Sequence, residues 1–266
     1  MSSKTLLVTG ASDGIGFETA RALLKFGHTV LVHGRHEQRA IESVTRLRSA
    51  GGVALPVWGD FAELAQVRTL ASQVAALTQR LDVLINNAGL YAKRRSLTAD
   101  GFELTMGVNH FAPFLLTHHL LPLLRATPGA RIVNVSSMTH DGAAFDIEDL
   151  DLTQRWDAYG AYATSKFANV LFTRALAARH DSVTANALHP GVIGTKLLKS
   201  AFGMQGASVA DGARTSVFLA TSPTVAHTTG AYFDQCRQRA ADRRAQDTRL
   251  VDALWDASRE RLARWL

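Results

Sequence analysis

Leu6-Leu7-Val8-Thr9-Gly10-Ala11-Ser12-Asp13-Gly14-Ile15-Gly16 is the stretch whose reading decides the fold. A short apolar run ends at a threonine, glycines follow at 10, 14 and 16, and helical periodicity runs from 14 to 26. A strand feeding a helix through such a turn brings backbone N–H groups and the positive end of a helix dipole to one point. That arrangement suits a phosphate. Spaced glycines alone also fit a tight turn with close strand–helix packing. Their place between the first strand and the first helix favours the phosphate reading.

Outward from the turn the alternation repeats. Strands are expected at 29–33, 53–57, 81–85, 131–135 and 183–188, and helices at about 37–49, 63–79, 101–124 and 158–178. Strands separated by helices of this length imply right-handed crossovers and a parallel sheet covered on both faces. The strands are almost wholly apolar, as burial on both sides requires. The expectation is an α/β fold, one domain over 1–266, with a doubly wound parallel sheet of about seven strands and helices on both faces. Two segments break the rhythm: 140–157 is acidic and aperiodic, and 195–207 is glycine-rich and apolar. Both follow strand ends at the face where open α/β sheets bind ligands, so both are expected to wall a substrate site, the second as a lid.

Composition narrows the class. The 266 residues are 47% hydrophobic, which suits one large domain, and carry a formal charge of +6. The arginines are spread among acids, as at Arg243, Arg244 and Asp247, with no basic run interleaved with aromatics, so no nucleic-acid partner is expected. Cys236 is the single cysteine, which rules out an intramolecular disulfide. His118 and His119 are adjacent and cannot share a helix face, so no metal is expected. No stretch reaches the ~18 continuous apolar residues of a membrane span, and no apolar signal core precedes the glycine turn. A cytoplasmic protein is the expectation.

The second strand ends at His33-Gly34-Arg35, where a dinucleotide's ribose is read. An acid there would bond the 2′-hydroxyl of NAD. The first acid is Glu37, and Arg35 suits a 2′-phosphate, so NADP(H) is favoured over NAD(H), although Asp13 brings negative charge into the turn. Asp60 and Asn86-Asn87-Ala88-Gly89 stand at the ends of the third and fourth strands. No Gly-Lys-Ser/Thr follows Gly16, which excludes a phosphate-transfer loop. Tyr162 and Lys166 lie one helical turn apart on one face. A phenol with an ordinary pKa near ~10 becomes a useful acid–base when a cation lowers it.

Taken together and in order, the glycine turn, Asn86 to Gly89, Asn109, Ser136-Ser137, Tyr162 to Lys166 and Pro190-Gly191 resemble the short-chain dehydrogenase/reductase family over nearly the whole chain. The chain is most similar to its retinol-dehydrogenase-like branch. That likeness rests on Asn134-Val135-Ser136-Ser137-Met138-Thr139-His140, on 161–172, on His189-Pro190-Gly191, on Tyr232-Phe233-Asp234-Gln235-Cys236 and on the helix with Leu254-Trp255. The resemblance implies a Rossmann-type oxidoreductase that exchanges hydride between a nicotinamide and a carbonyl or alcohol carbon. It implies Tyr162 as acid–base, Lys166 as the group that depresses its pKa and holds the nicotinamide ribose, and Ser137 on the substrate oxygen. Asn109 would support a relay water. Gly10, Ser12, Asp13, Gly14, Ile15, Gly16, Arg35, Asp60, Asn87, Ala88, Gly89, Pro190, Gly191 and Thr195 would line the cofactor.

Leu197, Leu198, Phe202 and Met204 in the lid imply an apolar small-molecule substrate. Tyr159 lies seven residues before Lys166, an enoyl-reductase-like spacing, but the Asn-Asn-Ala-Gly run favours Tyr162 and leaves Tyr159 as a substrate wall. A homo-oligomer through the helices around Asn109 and Tyr162 is left open. The alternative is a dinucleotide-sensing or scaffold protein on the same fold, which would need only the cofactor half of these residues.

Overall fold

The computed structural model describes residues 3–266. β1 (Thr5–Val8) leads into α1 (Gly14–Lys25), followed by β2 (Thr29–Gly34), α2 (Glu37–Leu47), β3 (Val53–Trp58), α3 (Leu64–Leu77) and β4 (Val83–Asn86). Then come a short α4 (Leu104–Met106), α5 (Ala112–Arg125), β5 (Arg131–Val135), α6 (Ala158–Arg179), β6 (Thr184–His189), α7 (Lys196–Phe202) and α8 (Val209–Thr221). A hairpin of β7 (Tyr232–Asp234) and β8 (Arg237–Arg239) and a last helix, α9 (Thr248–Arg261), complete the chain. The sheet runs β3-β2-β1-β4-β5-β6-β7-β8, parallel throughout except for β8. It is the doubly wound sheet expected, with an antiparallel eighth strand added at one edge.

Strand periodicity divides the core into two layers. Leu7, Leu31, Leu84 and Ile132 face α3, α5, α6 and α9, while Leu6, Val8, Val30, Val32, Ile85 and Val133 face α1, α2 and α8. The strand order reverses between β1 and β4, and the crevice at their carboxyl ends is where such a sheet admits a ligand.

Two expectations are corrected. The single helix at 101–124 is instead a loop, the short α4 capped by Glu103, a π-helical turn at Gly107–Phe111 and then α5, with a proline in its first turn. The wider turn carries Asn109 inward. The 140–157 loop does not wall the crevice. Ala143, Leu150 and Leu152 are buried in the core, Phe145 packs edge-on against Phe167, and Asp151 takes Arg261, so the loop is held against α6 and α9. Its apolar residues found core partners there, which acidity and aperiodicity did not reveal.

Among the described residues no helix is long and apolar enough to cross a membrane. α9 instead packs on its own domain. Trp255 stands 5.0 Å from the Phe114 ring and 6.3 Å from Phe172, with the Arg179 guanidinium 4.8 Å from its centroid. Trp255→Ala should therefore cost about 3 kcal/mol in urea unfolding, whereas a loss below about 1 kcal/mol would mean that α9 is not docked as described.

Candidate active site

The glycine turn is shaped by what a side chain would strike. At Gly16 a Cβ would lie 2.3 Å from the Gly10 carbonyl oxygen and 2.4 Å from Asn87 Nδ2. At Gly10, which has φ +63°, it would lie 2.8 Å from Ala88 Cα. These two glycines let α1 begin directly on the end of β1. Gly14 also has positive φ, but it faces open crevice with Thr195 Cγ2 3.5 Å away. Asp13 caps α1 by accepting from Gly14 N–H at 2.8 Å. The N–H groups of Ile15 and Gly16, both on the crevice wall, have no protein partner among the described residues. Free donors at a helix start suit a phosphate. The charge of Asp13 is matched by Lys196 at 2.5 Å, a bond that is the largest influence holding this carboxyl below its usual pKa.

His33 joins three strand ends and was not singled out in the sequence. Its Nδ1 accepts from Gly10 N–H at 3.0 Å, its Nε2 donates to the Gly59 carbonyl at 2.9 Å, and its ring stacks on Phe61. Burial pushes its pKa down to about 4, so the ring is neutral. Beyond it Arg35 donates from Nε to Asp60 Oδ2 at 2.7 Å, and Asp60 Oδ1 accepts from Ala62 N–H at 2.9 Å. The guanidinium remains mostly exposed at the crevice rim.

At the end of β4, Thr9 Oγ1 accepts from Asn87 and Ala88 N–H, both at 2.9 Å, and Asn87 Nδ2 donates to the Thr9 carbonyl at 2.7 Å. Asn86 turns the other way, donating to Asn134 at 2.9 Å and Thr117 at 3.1 Å. Asn87, Ala88 and Gly89 line the crevice; Asn86 does not.

α6 starts at the cap of Asp157 and places Tyr162 and Lys166 in the floor. Lys166 Nζ donates to the Val135 carbonyl at 3.0 Å and lies 5.4 Å from the Tyr162 ring centroid. Ser136 donates to the Lys166 carbonyl at 2.7 Å, whereas Ser137 Oγ accepts from Thr139 N–H at 3.2 Å and stands near enough to Tyr162 to pull its pKa down. The expected depression of the phenol does not follow from this geometry. Burial pushes Tyr162 up to about 12, with Ser137 pulling it partly back, and burial brings Lys166 down to about 8. The ammonium sits toward the ring and a carbonyl, so desolvation outweighs its pull on the hydroxyl.

Asn109 is wholly buried and does not line the crevice. Its amide exchanges bonds with both backbone groups of Leu90, at 2.8 and 3.0 Å, and donates to Ser165 Oγ at 2.9 Å. A Cβ at Gly89 would lie 3.2 Å from Asn109 Oδ1 and 3.4 Å from Lys166 Nζ, so Gly89 keeps the space between them clear.

The crevice has a volume of about 650 Å³ and runs from Arg35 past the glycine turn to Tyr162 and out to α7. Pro190, Gly191 and Thr195 form its far wall, and Thr195 caps α7 by accepting from Leu198 N–H at 3.2 Å. The substrate end is apolar, with Leu197, Leu198, Phe202 and Met204 on it. Tyr91 bridges Tyr162 and Phe202 at ring distances of 5.6 and 5.2 Å, and Tyr159 meets Phe202 at 6.4 Å. Tyr91 was missed because a lone aromatic after Leu90 carries no pattern of its own.

Comparison with known proteins finds relatives over nearly the whole chain. A family model described as short chain dehydrogenase matches residues 4–206. The mouse protein named retinol dehydrogenase 14 is 38% identical over 97% of this chain and 85% of its own. A solved structure from Mycobacterium paratuberculosis superposes with a TM-score of 0.81 at 32% identity, covering 98% of this chain and 93% of that one. A short chain dehydrogenase from Shigella flexneri, complexed with NADP, gives 0.72 at 26% identity over 89% and 98%.

The state of His33 has a consequence for stability. Its pKa is about 4 in the fold against about 6.5 unfolded, so its contribution is complete above about pH 6.5 and is lost as pH falls toward 4. Between pH 7 and pH 5 the wild-type protein should lose about 2 kcal/mol more than His33→Asn, which keeps an acceptor for Gly10. Equal losses in urea titrations of the two proteins would contradict a neutral, buried His33.

Proposed function

The chain belongs to the short-chain dehydrogenase/reductase family, in its retinol-dehydrogenase-like branch, and is an NAD(P)-dependent oxidoreductase; from that premise we propose an NADP(H)-dependent reductase of an apolar aldehyde or ketone. The observation that carries the proposal is one continuous crevice with the free N–H groups of Ile15 and Gly16 at its middle and Ser137, Tyr162 and Lys166 together at its end.

The residues fit a dinucleotide. Gly14 leaves room over the helix start, where Ile15 and Gly16 N–H groups would take the pyrophosphate. Arg35 would take a 2′-phosphate, sharing Asp60 with it, and NADP is the ligand bound to the Shigella relative. Asn87, Ala88 and Gly89 would lie along one side of the chain of phosphates and riboses, with Pro190, Gly191 and Thr195 on the other. A nicotinamide bound here supplies hydride to a carbonyl carbon.

Ser137 and Tyr162 would both address the substrate oxygen. As negative charge develops there, the Ser137 hydroxyl donates a hydrogen bond and Tyr162 transfers its proton. With its pKa raised to about 12, Tyr162 is protonated at neutral pH, the form required for reduction. Lys166, at about 8, is largely cationic at neutral pH and favours the phenolate left behind. Asn109 is a positioning residue in this scheme, bracing Leu90 and Ser165 beside Lys166. The apolar substrate is supported by Leu197, Leu198, Phe202 and Met204 and by the relative named for retinol.

Tyr162→Phe should keep NADPH affinity and lose about a thousandfold in turnover, while an unchanged rate would favour the non-catalytic sensor. Arg35→Ala should weaken NADPH about tenfold in calorimetry and leave NADH unchanged; equal effects on both would remove the 2′-phosphate assignment. Since the cationic form of Lys166 is the active one, the reduction rate should fall as pH rises through about 8, and a rate still rising there would contradict it.

A further inference from the structure

His140 ends the Ser137 turn and has no part in the reaction above, yet it is buried to 3% exposure. Its ring makes two bonds of opposite kind. Nδ1 lies 2.7 Å from the Ser137 carbonyl, which only accepts, so Nδ1 carries the proton. Nε2 lies 3.1 Å from Asp242 N–H, which only donates, so Nε2 is bare. The two partners select one neutral tautomer. The backbone N–H of His140, at 3.2 Å, reaches the same Ser137 carbonyl.

The far side of the ring is equally fixed. It rests on Tyr232 with centroids 4.6 Å apart. Asp242 accepts from Gly142 N–H at 3.0 Å and from Arg244 Nη2 at 2.6 Å, and Arg244 Nη1 donates to the Ala143 carbonyl at 2.7 Å. A second histidine, His189 at the end of β6, accepts from Met138 N–H at Nδ1, 3.2 Å away. The Ser137 carbonyl and the Met138 N–H belong to one peptide group, so two imidazoles grip the same plane from its two polar ends.

We propose that His140, together with His189, is a positioning residue for Ser137, holding the Ser137–Met138 peptide plane and so setting the direction of the Ser137 hydroxyl. The proposal rests on the reading of Ser137 as the group that meets the substrate oxygen. The grip requires both rings neutral. Protonating His140 sets a second N–H against Asp242 N–H, and protonating His189 does the same to Met138 N–H. Burial holds both rings below the ordinary histidine pKa. The bond to the Ser137 carbonyl, Asp141 and Asp242 oppose it at His140 while Arg244 assists; Asp234 opposes it at His189 while His140 assists. Acid therefore releases the grip, and turnover falls with it.

His140→Gln keeps an acceptor where Nε2 was and loses the donor to Ser137; His140→Asn keeps a donor where Nδ1 was and loses the acceptor. With NADPH and nonanal as the probe, His140→Gln should lower kcat about tenfold at unchanged NADPH affinity, and His140→Asn should recover to within about threefold of wild type. In a Ser137→Ala background His140→Gln should add nothing. A wild-type kcat in His140→Gln, or the same further loss without the Ser137 hydroxyl, overturns the proposal. If wild-type protein leaves nonanal untouched, the functional reading fails instead, and long-range ¹⁵N–¹H spectra at neutral pH decide the grip alone. A neutral ring protonated on Nδ1 for His140 and on Nε2 for His189 supports it; a cationic ring or the opposite tautomer overturns it.

Discussion

A Cβ on Gly16 would lie 2.3 Å from the Gly10 carbonyl and 2.4 Å from Asn87 Nδ2, closer than real Cβ atoms come, and the rest of the crevice depends on that contact being free. Because α1 can begin hard against the end of β1, the Asn87 amide fits between the turn and β4 and donates to the Thr9 carbonyl at 2.7 Å. Thr9 then holds Asn87 and Ala88 by their N–H groups, which fixes the wall opposite the glycine turn. The same turn receives His33 Nδ1 on Gly10 N–H, which ties β2 and, through Gly59, the end of β3 to it. Four strand ends and one helix start thus form a single rigid edge.

The catalytic half is joined to that edge by buried amides. Asn86 donates to Asn134, and Asn134 donates to Thr173 on α6 at 2.9 Å. Ser136 takes the Lys166 carbonyl and Lys166 Nζ the Val135 carbonyl, so α6 is bonded to the end of β5 at the residue that carries the charge. Asn109 closes the ring by bracing Leu90 and Ser165. Buried hydrogen bonds of this kind hold side chains in one geometry, here with Asn86 Oδ1 left without a partner. The price of that burial is visible in Tyr162 and Lys166, pushed to about 12 and about 8, each toward its uncharged form.

Much of this was legible in the sequence because it rests on local rules. The glycine turn, the two-layer alternation of Leu6, Leu7 and Val8, and the one-turn spacing of Tyr162 and Lys166 all follow from backbone geometry within a few residues. What was not legible depends on distant partners. The 140–157 loop read as a substrate wall because nothing nearby announces that Asp151 meets Arg261 or that Phe145 meets Phe167. The π-helical turn around Asn109 hides inside an apolar run that reads as ordinary helix. His33 meets Gly10 N–H and the Gly59 carbonyl, and His140 meets Asp242 N–H, all far along the chain, and no spacing encodes such contacts. The direction of the Tyr162 shift was misread for the same reason: burial is a property of the assembled crevice, whereas the neighbouring lysine is visible in the sequence.

The most direct measurement follows the hydride. NADPH deuterated at C4 of the nicotinamide ring, in each stereochemical form in turn, would be incubated with the protein and nonanal, and the alcohol read by mass spectrometry. A single deuterium on the carbinol carbon is expected from one labelled form and none from the other, because the crevice fixes the face of the ring. Alcohol without deuterium from either form, or no alcohol from a panel of apolar aldehydes while NADPH is bound, would contradict it.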